Sequence, residues 1–174
     1  SAARPARRPF RVLQGRPMTS DLKRLGWSRF FTDQLSPDEV ETLAPTLIPV
    51  RLSEVRRRSV VALTPDLERL DIALTGEHVA TDMAVGDFAL TDGARIIRVL
   101  ERRTLISRKA AGPAAQAQLI AANIDTLFIT TSCNSDFNEA RLERYLAIAI
   151  EAETTPVIVI TKADRPEDMP VETY

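Results

Sequence analysis

At 174 residues the chain has room for one large or two small domains. Its 44% hydrophobic and 27% charged residues are ordinary for a soluble globular protein, and no apolar run nears the roughly 20 residues that span a bilayer, so a membrane partner is not expected. The lone Cys133 excludes an internal disulfide and a cysteine metal cluster, which fits a cytoplasmic location and a thiol packed at a strand end.

The net charge of −1 conceals an asymmetry. Residues 1–17 carry five arginines (Arg4, Arg7, Arg8, Arg11 and Arg16) and no acid; setting them aside leaves 18 basic residues against 24 acidic, a net of −6. The basic arm is open to three readings: a segment that binds RNA phosphates, a leader resembling an organelle transit peptide, or a basic leader or cloning remnant ahead of a natural start at Met18. The last is favoured. The N-terminus lacks the apolar core of a secretory signal.

Residues 18–45 read as a helical segment. Leu22, Leu25, Phe30, Phe31 and Leu35 suggest one or two short helices broken near Gly26, with Trp27 and the two phenylalanines docking on a neighbouring domain. Ser36–Pro45 reads as a linker or short helix.

From 46 to 107 the period changes to two. Ile48, Val50 and Leu52 alternate, as do Leu70, Ile72 and Leu74; Val60–Leu63, Val85–Leu90 and Arg95–Leu100 complete about five short strands. Asp92-Gly93 is a hairpin signal, and Thr75-Gly76 and Val85-Gly86-Asp87 mark further turns. Five short strands without intervening helices suggest a Greek-key barrel, with the oligonucleotide-binding (OB) fold as the natural candidate. Arg56, Arg57 and Arg58 fall at the tip between the first two strands, where such barrels touch nucleic acid; a solvated turn is the plainer alternative. His78, the single histidine, is expected as a surface side chain without a catalytic or metal-binding neighbour.

Residues 108–120 read as a linker, with Gly112-Pro113 and a run of alanines marking a boundary. Arg102, Arg103, Arg108 and Lys109 are open to two readings, the lining of a groove between domains or an exposed linker.

The segment 121–174 changes character again. Asp125–Thr131 is an almost continuous apolar run, the pattern of a strand buried on both faces of a parallel sheet. Val157–Ile160 is a second, β-branched strand. Between them Leu142, Tyr145, Leu146, Ala149 and Ile150 share one helical face, with Asp136 and Glu139 spaced as a cap. Strand, helix and strand make a right-handed βαβ unit, whose ligands lie beyond the carboxyl ends of the strands. Thr161, Lys162, Ala163 and Asp164 occupy that end. The Asp164 carboxylate accepts two hydrogen bonds side by side, and guanine offers two parallel donors, its ring N1–H and its exocyclic amine, where adenine offers no such pair. The Lys162 stem can lie along a base plane, and Thr161 can bond neighbouring backbone.

Two strands and one helix are too little to cover both faces of a parallel sheet. The three lysines, Lys23, Lys109 and Lys162, do not follow glycines, so the chain contains no P-loop Gly-Lys-Ser/Thr, and no G-x-G-x-x-G occurs either. Catalytic residues are not identified, and no metal ligands are expected within the chain. A guanine motif preceding any phosphate motif reverses the usual order of GTPases.

With a barrel in front, that order carries a resemblance. The stretches LGWSRFF at Leu25–Phe31, VGDF at Val85–Phe88, RRTLISRKAAG at Arg102–Gly112 and AANIDTLFITTSCNSDFNEARLERYLAIA at Ala121–Ala149, together with the TKAD at 161–164, resemble the circularly permuted GTPases called ribosome small subunit-dependent GTPase A, from about Asp21 to Asp164. The resemblance implies a mixed fold, an N-terminal five-stranded OB-type barrel followed by the first β-α-β unit of a P-loop-type GTPase domain. It implies GTP hydrolysis in late assembly of the small ribosomal subunit, with that subunit and its rRNA as partners, the rRNA held through the barrel. Its cofactors would be GTP or GDP with Mg²⁺, and zinc in a C-terminal region beyond this chain. On this reading the chain is the front portion of a longer monomeric protein and is inactive alone. Thr161 stands where many GTPases have asparagine, so base specificity would rest on Asp164. The competing reading is a non-enzymatic RNA-binding OB module with a docked α/β tail.

Overall fold

The two-residue period of 46–107 is realised as five antiparallel strands. A computed structural model describes residues 22–43, 46–75, 80–109, 117–132 and 137–162, and the chain divides into two units, Ser1–Arg102 and Arg103–Tyr174. In the first, β1 (Ile48–Val55), β2 (Ser59–Leu63), β3 (Arg69–Ala73), β4 (Phe88–Thr91) and β5 (Ile96–Val99) form one sheet in the order β3-β2-β1-β4-β5. Alternate residues of these strands meet in a core of Val50, Leu52, Val60, Ala62, Ile72, Ala89 and Ile96, joined by Met83. Burying each such side chain contributes about 1.5–3 kcal/mol, so the alternation fixes which face turns inward. β4 starts later than its apolar run suggests. Residues 85–87 turn instead, with Gly86 at φ +94°, a left-handed backbone that glycine adopts without strain.

β4 is buried on both faces because the N-terminal segment covers the second one. Phe88 and Leu90, on the face opposite Ala89, pack with Leu22, Leu25, Phe31 and Leu100. A helical turn at 22–24 ends at Gly26, whose φ is +86°; a Cβ there would come within 3.0 Å of Arg51 Nη1, which donates to the Leu25 carbonyl at 2.6 Å. α1 (Arg29–Thr32) follows. Trp27 meets Phe88 edge-on at 5.1 Å, and Phe31 lies 4.4 Å from the same ring. Trp27 and Phe31 therefore dock on the sheet as expected, whereas Phe30 remains 38% exposed. α2 (Pro37–Thr42) begins with a reciprocal cap: Ser36 Oγ accepts the Glu39 N–H, and Glu39 Oε2 accepts the Ser36 N–H at 2.8 Å.

The Asp92-Gly93 signal is a hairpin loop joining β4 to β5. Gly93 has φ +87°, and Asp92 Oδ1 accepts the N–H groups of Ala94 and Arg95, both at 2.9 Å. That is the local bonding for which aspartate is favoured in turns.

In the second unit β6 (Leu105–Lys109) and β7 (Ala117–Ala122) pair as an antiparallel hairpin. The described parts of the segment read as linker thus belong to strands. Gly112-Pro113 lies outside the described residues. β8 (Thr126–Ser132), α3 (Glu139–Glu151) and β9 (Thr155–Thr161) form the βαβ unit, β8 and β9 pairing in parallel from Thr126↔Thr155 to Ser132↔Thr161. Asp125 precedes the strand and pairs with Arg103 instead. β9 begins two residues early and includes Pro156, near the strand start where proline is tolerated.

Two details correct the sequence expectation. The N-cap of α3 is Asn138, whose Oδ1 accepts the Arg141 N–H at 2.8 Å; Asp136 lies outside the described residues. The buried face of α3 is also narrower than the apolar pattern. Ala149 is buried, Leu142 and Leu146 are half-buried, and Ile150 is 70% exposed. A pair of strands is too narrow to cover the whole stripe. For the same reason β8 is not buried on both faces: Ile129 is covered, but Phe128 is 66% exposed.

Candidate functional site

The in-register pairing of β8 and β9 brings Ser132 and Thr161 side by side at the carboxyl end of both strands. Thr161 closes that end. Its Oγ1 donates to the Thr131 carbonyl at 3.0 Å, so the hydroxyl satisfies backbone of the neighbouring strand. The next residue, Lys162, has φ +59°, a left-handed conformation uncommon for a side chain-bearing residue and frequent at functional turns. The extended backbone of β9 therefore ends at Thr161.

An open cleft of about 340 Å³ lies here, lined by Thr130, Thr131, Ser132, Arg141, Thr161 and Lys162. Its described lining carries two cations and four hydroxyls and no carboxylate. Such a surface suits a ligand rich in oxygen acceptors. Of the four residues of the guanine reading, Thr161 and Lys162 are thus on one cleft, while Ala163 and Asp164 lie outside the described residues. Arg141 was not singled out by sequence reasoning. The signal was available: it sits in the first turn of a crossover helix, and that turn always starts near the carboxyl end of the preceding strand.

The arginines of the first unit separate into different roles. Arg56, Arg57 and Arg58 do occupy the exposed turn between β1 and β2. Arg56, however, donates to Glu54 at 2.6 Å and Asp71 at 3.0 Å, and Glu54 also accepts from Arg69. Hydrogen bonds from Arg56 and Arg69 hold the Glu54 carboxyl below its usual range, and the Glu54 bond raises the Arg56 guanidinium. The Arg56 charge is matched within the sheet, leaving Arg57 and Arg58 as the cations that project from the tip.

Neither reading of Arg102, groove lining or exposed linker, describes its side chain. Its Nε and Nη2 fork onto Asp87 at 2.7 and 2.8 Å, and Nη2 also reaches the Asp82 carbonyl at 2.6 Å. Asp87 is 0% exposed, so this is an internal ion pair. Arg103 pairs with Asp125, and Arg108 donates to Gln118 at 3.0 Å. The side chain of Lys109, His78 and Cys133 lie outside the described residues. Among the described residues no three His, Cys, Asp or Glu side chains converge on one point. Nor is any described helix long and apolar enough to cross a membrane.

Comparison with known proteins adds a family. Residues 99–174 match the model of the RsgA GTPase family. The small ribosomal subunit biogenesis GTPase RsgA of Mesorhizobium japonicum is 47% identical over 146 residues, covering 83% of this chain and 40% of the relative. RsgA 2 of Vibrio parahaemolyticus is 41% identical over 152 residues, 87% of this chain and 40% of that protein. RsgA of Xanthomonas campestris is 42% identical over 131 residues, 71% and 36% respectively. The chain thus spans about 40% of the length of the first two relatives.

Proposed function

The chain belongs to the RsgA GTPase family over the stretch it shares with these relatives, and on that premise we propose that it supplies the guanine-recognition end of a GTPase that matures the small ribosomal subunit. The observation that carries this reading is the cleft at the joint carboxyl end of β8 and β9, with the Thr161 hydroxyl bonded across to Thr131 and Lys162 in a left-handed backbone conformation. This is where a parallel sheet binds ligands, and the TKAD sequence begins there.

In this reading Asp164 selects the base. Its carboxylate accepts from the guanine N1–H and exocyclic amine together, while the Lys162 stem lies along the base and Thr161 fixes the turn. The phosphate-binding and hydrolytic groups belong to regions of the protein other than the TKAD sequence, as do any Mg²⁺ and zinc ligands. The 174 residues alone bind guanine weakly and do not turn over GTP. Phosphoryl transfer depends on positioned cations and backbone N–H groups around the γ-phosphate, and the sequence holds no P-loop.

The five-stranded antiparallel unit is compatible with an OB-type barrel. We read it as the rRNA-facing part, with Arg57 and Arg58 as its leading cations and Arg56 in support. The protein acts in the cytoplasm as a monomer, on the small subunit and its rRNA.

The test is Asp164→Asn in the full-length protein. Each hydrogen bond to a charged group contributes about 1.5–3 kcal/mol, so GTP affinity falls roughly 10- to 150-fold. Affinity for xanthosine triphosphate rises, because xanthine carries a carbonyl where guanine has its amine. Circular dichroism should be unchanged. Undiminished GTP binding by the variant would remove the assignment.

A further inference from the structure

The boundary between the two units falls between two consecutive residues, Arg102 and Arg103, and each is hydrogen-bonded within its own unit. On the first side, the Glu101 N–H donates to Gln34 Oε1 at 2.7 Å, and Gln34 Nε2 donates back to the Glu101 carbonyl at 3.3 Å. That carbonyl shares a peptide plane with the Arg102 N–H, so the plane is held by the first unit. The Arg102 side chain is held there as well, forked onto buried Asp87 and bonded to the Asp82 carbonyl.

On the second side the Arg103 N–H donates to Asn123 Oδ1 at 2.8 Å. The peptide plane that joins Arg102 to Arg103 therefore belongs to the second unit. Thr104 reinforces it. Its Oγ1 donates to the Ile124 carbonyl and accepts the Ile124 N–H, both at 2.8 Å, and its carbonyl accepts the Asn123 N–H at 2.9 Å. Asn123 takes a left-handed backbone, φ +55°, which asparagine tolerates better than most residues and which belongs to the turn that aims its amide at Arg103.

Two consecutive peptide planes are thus fastened to different units, and only the φ and ψ of Arg102 lie between them. The forked side chain restrains the Cα–Cβ direction against the first unit, which restricts φ and leaves ψ. We propose that the two units are joined by a single-residue hinge, and that reorientation of one against the other proceeds chiefly by rotation about the Cα–C bond of Arg102. A hinge needs only a few terminal positions that absorb the dihedral change; here the hydrogen bonds confine it to one. This inference does not depend on the nucleotide reading, since it rests only on backbone and side-chain bonds within each unit.

The test is residual dipolar coupling of backbone N–H vectors in the 174-residue chain. Two distinct alignment tensors are expected, one for β1–β5 and one for β6–β9 with α3. The Glu101 and Arg102 vectors should fit the first, and the Arg103 and Thr104 vectors the second. Asn123→Gly suits the left-handed backbone and removes the acceptor; it should release the Arg103 vector from the second tensor while the β7 and β8 couplings stay in place. Gln34→Ala should likewise release Arg102 from the first. A single tensor fitting both units would overturn the proposal, as would an Arg103 vector that follows the first unit or follows neither in the unsubstituted chain.

Discussion

The two most instructive arginines, Arg56 and Arg102, look alike in the sequence and differ in what surrounds them. Both sit in basic runs and both bind carboxylates with short hydrogen bonds. Arg56 and its partners Glu54 and Asp71 are all substantially exposed, so solvent screens these pairs and they contribute little to stability. Arg102 binds a carboxylate with no exposure at all. Removing its guanidinium strands a buried charge, and the cost is about 3–5 kcal/mol. Urea unfolding should therefore separate Arg102→Met, which lowers the midpoint strongly, from Arg56→Ala, which barely shifts it. Equally small losses in both would show that Asp87 finds another partner when the Arg102 guanidinium is removed. The distinction was not legible in the sequence. Arg102 stands in ERRT among other cations, and its partner lies 15 residues earlier in VGDF. Local composition reports the sign of a charge, whereas burial is decided by the path of the chain.

At the scale of elements, much of the sequence pattern is realised, because period and turn chemistry are local. The alternation at Ile48, Val50 and Leu52, the Asp92-Gly93 loop and the crossover helix all depend on residues within a few positions of one another. The failures come where an element meets a partner of unexpected width. α3 has an apolar stripe for a wider sheet than β8 and β9 supply, and Ile150 is left outside. Pro37 and Ser36 mark the start of α2, and the cap there has a consequence for pH. Burial alone would raise the Glu39 pKa; the Ser36 N–H and Arg98 outweigh it and hold the carboxyl below the ordinary glutamate value of 4.5. A group depressed in the folded state stabilises fully above its unfolded pKa and loses that contribution as pH falls through the folded one. Glu39→Gln should accordingly cost about 0.5–1 kcal/mol at pH 7, discounted for exposure. The difference from the parent should shrink below pH 4.5 and vanish at stronger acid. Denaturant titrations at pH 7 and pH 3 check this, and a cost that is the same at both would mean the carboxylate charge is irrelevant to the cap.

Over the whole molecule the burial is uneven, and that decides how the two units respond to stress. Among the described residues, the two large apolar clusters lie in the first unit, built on Val50, Leu52, Ile72 and Phe88. In the second, the buried side chains are mostly small or polar: Ala122, Ala149, Ala152, Thr131 and Ser132, with Ile106 and Ile129 the larger exceptions. Phe128, Ile158 and Ile160 stand exposed on the parallel strands. At about 25 cal/mol per Å² of apolar surface removed from water, the second unit gains much less for the same backbone entropy. Its amides should open at lower free energy. Hydrogen exchange read by mass spectrometry is expected to label β8, α3 and β9 well before β1, β2 and β4. The order should persist on dilution, since it arises within each unit. Equal protection that disappears on dilution would instead mean that copies of the chain associate through the exposed strands, as unpaired apolar edges do. Equal protection at every concentration would mean that apolar burial does not set the local stability of this βαβ unit, and that its parallel ladder and the Thr161–Thr131 bond hold it unaided.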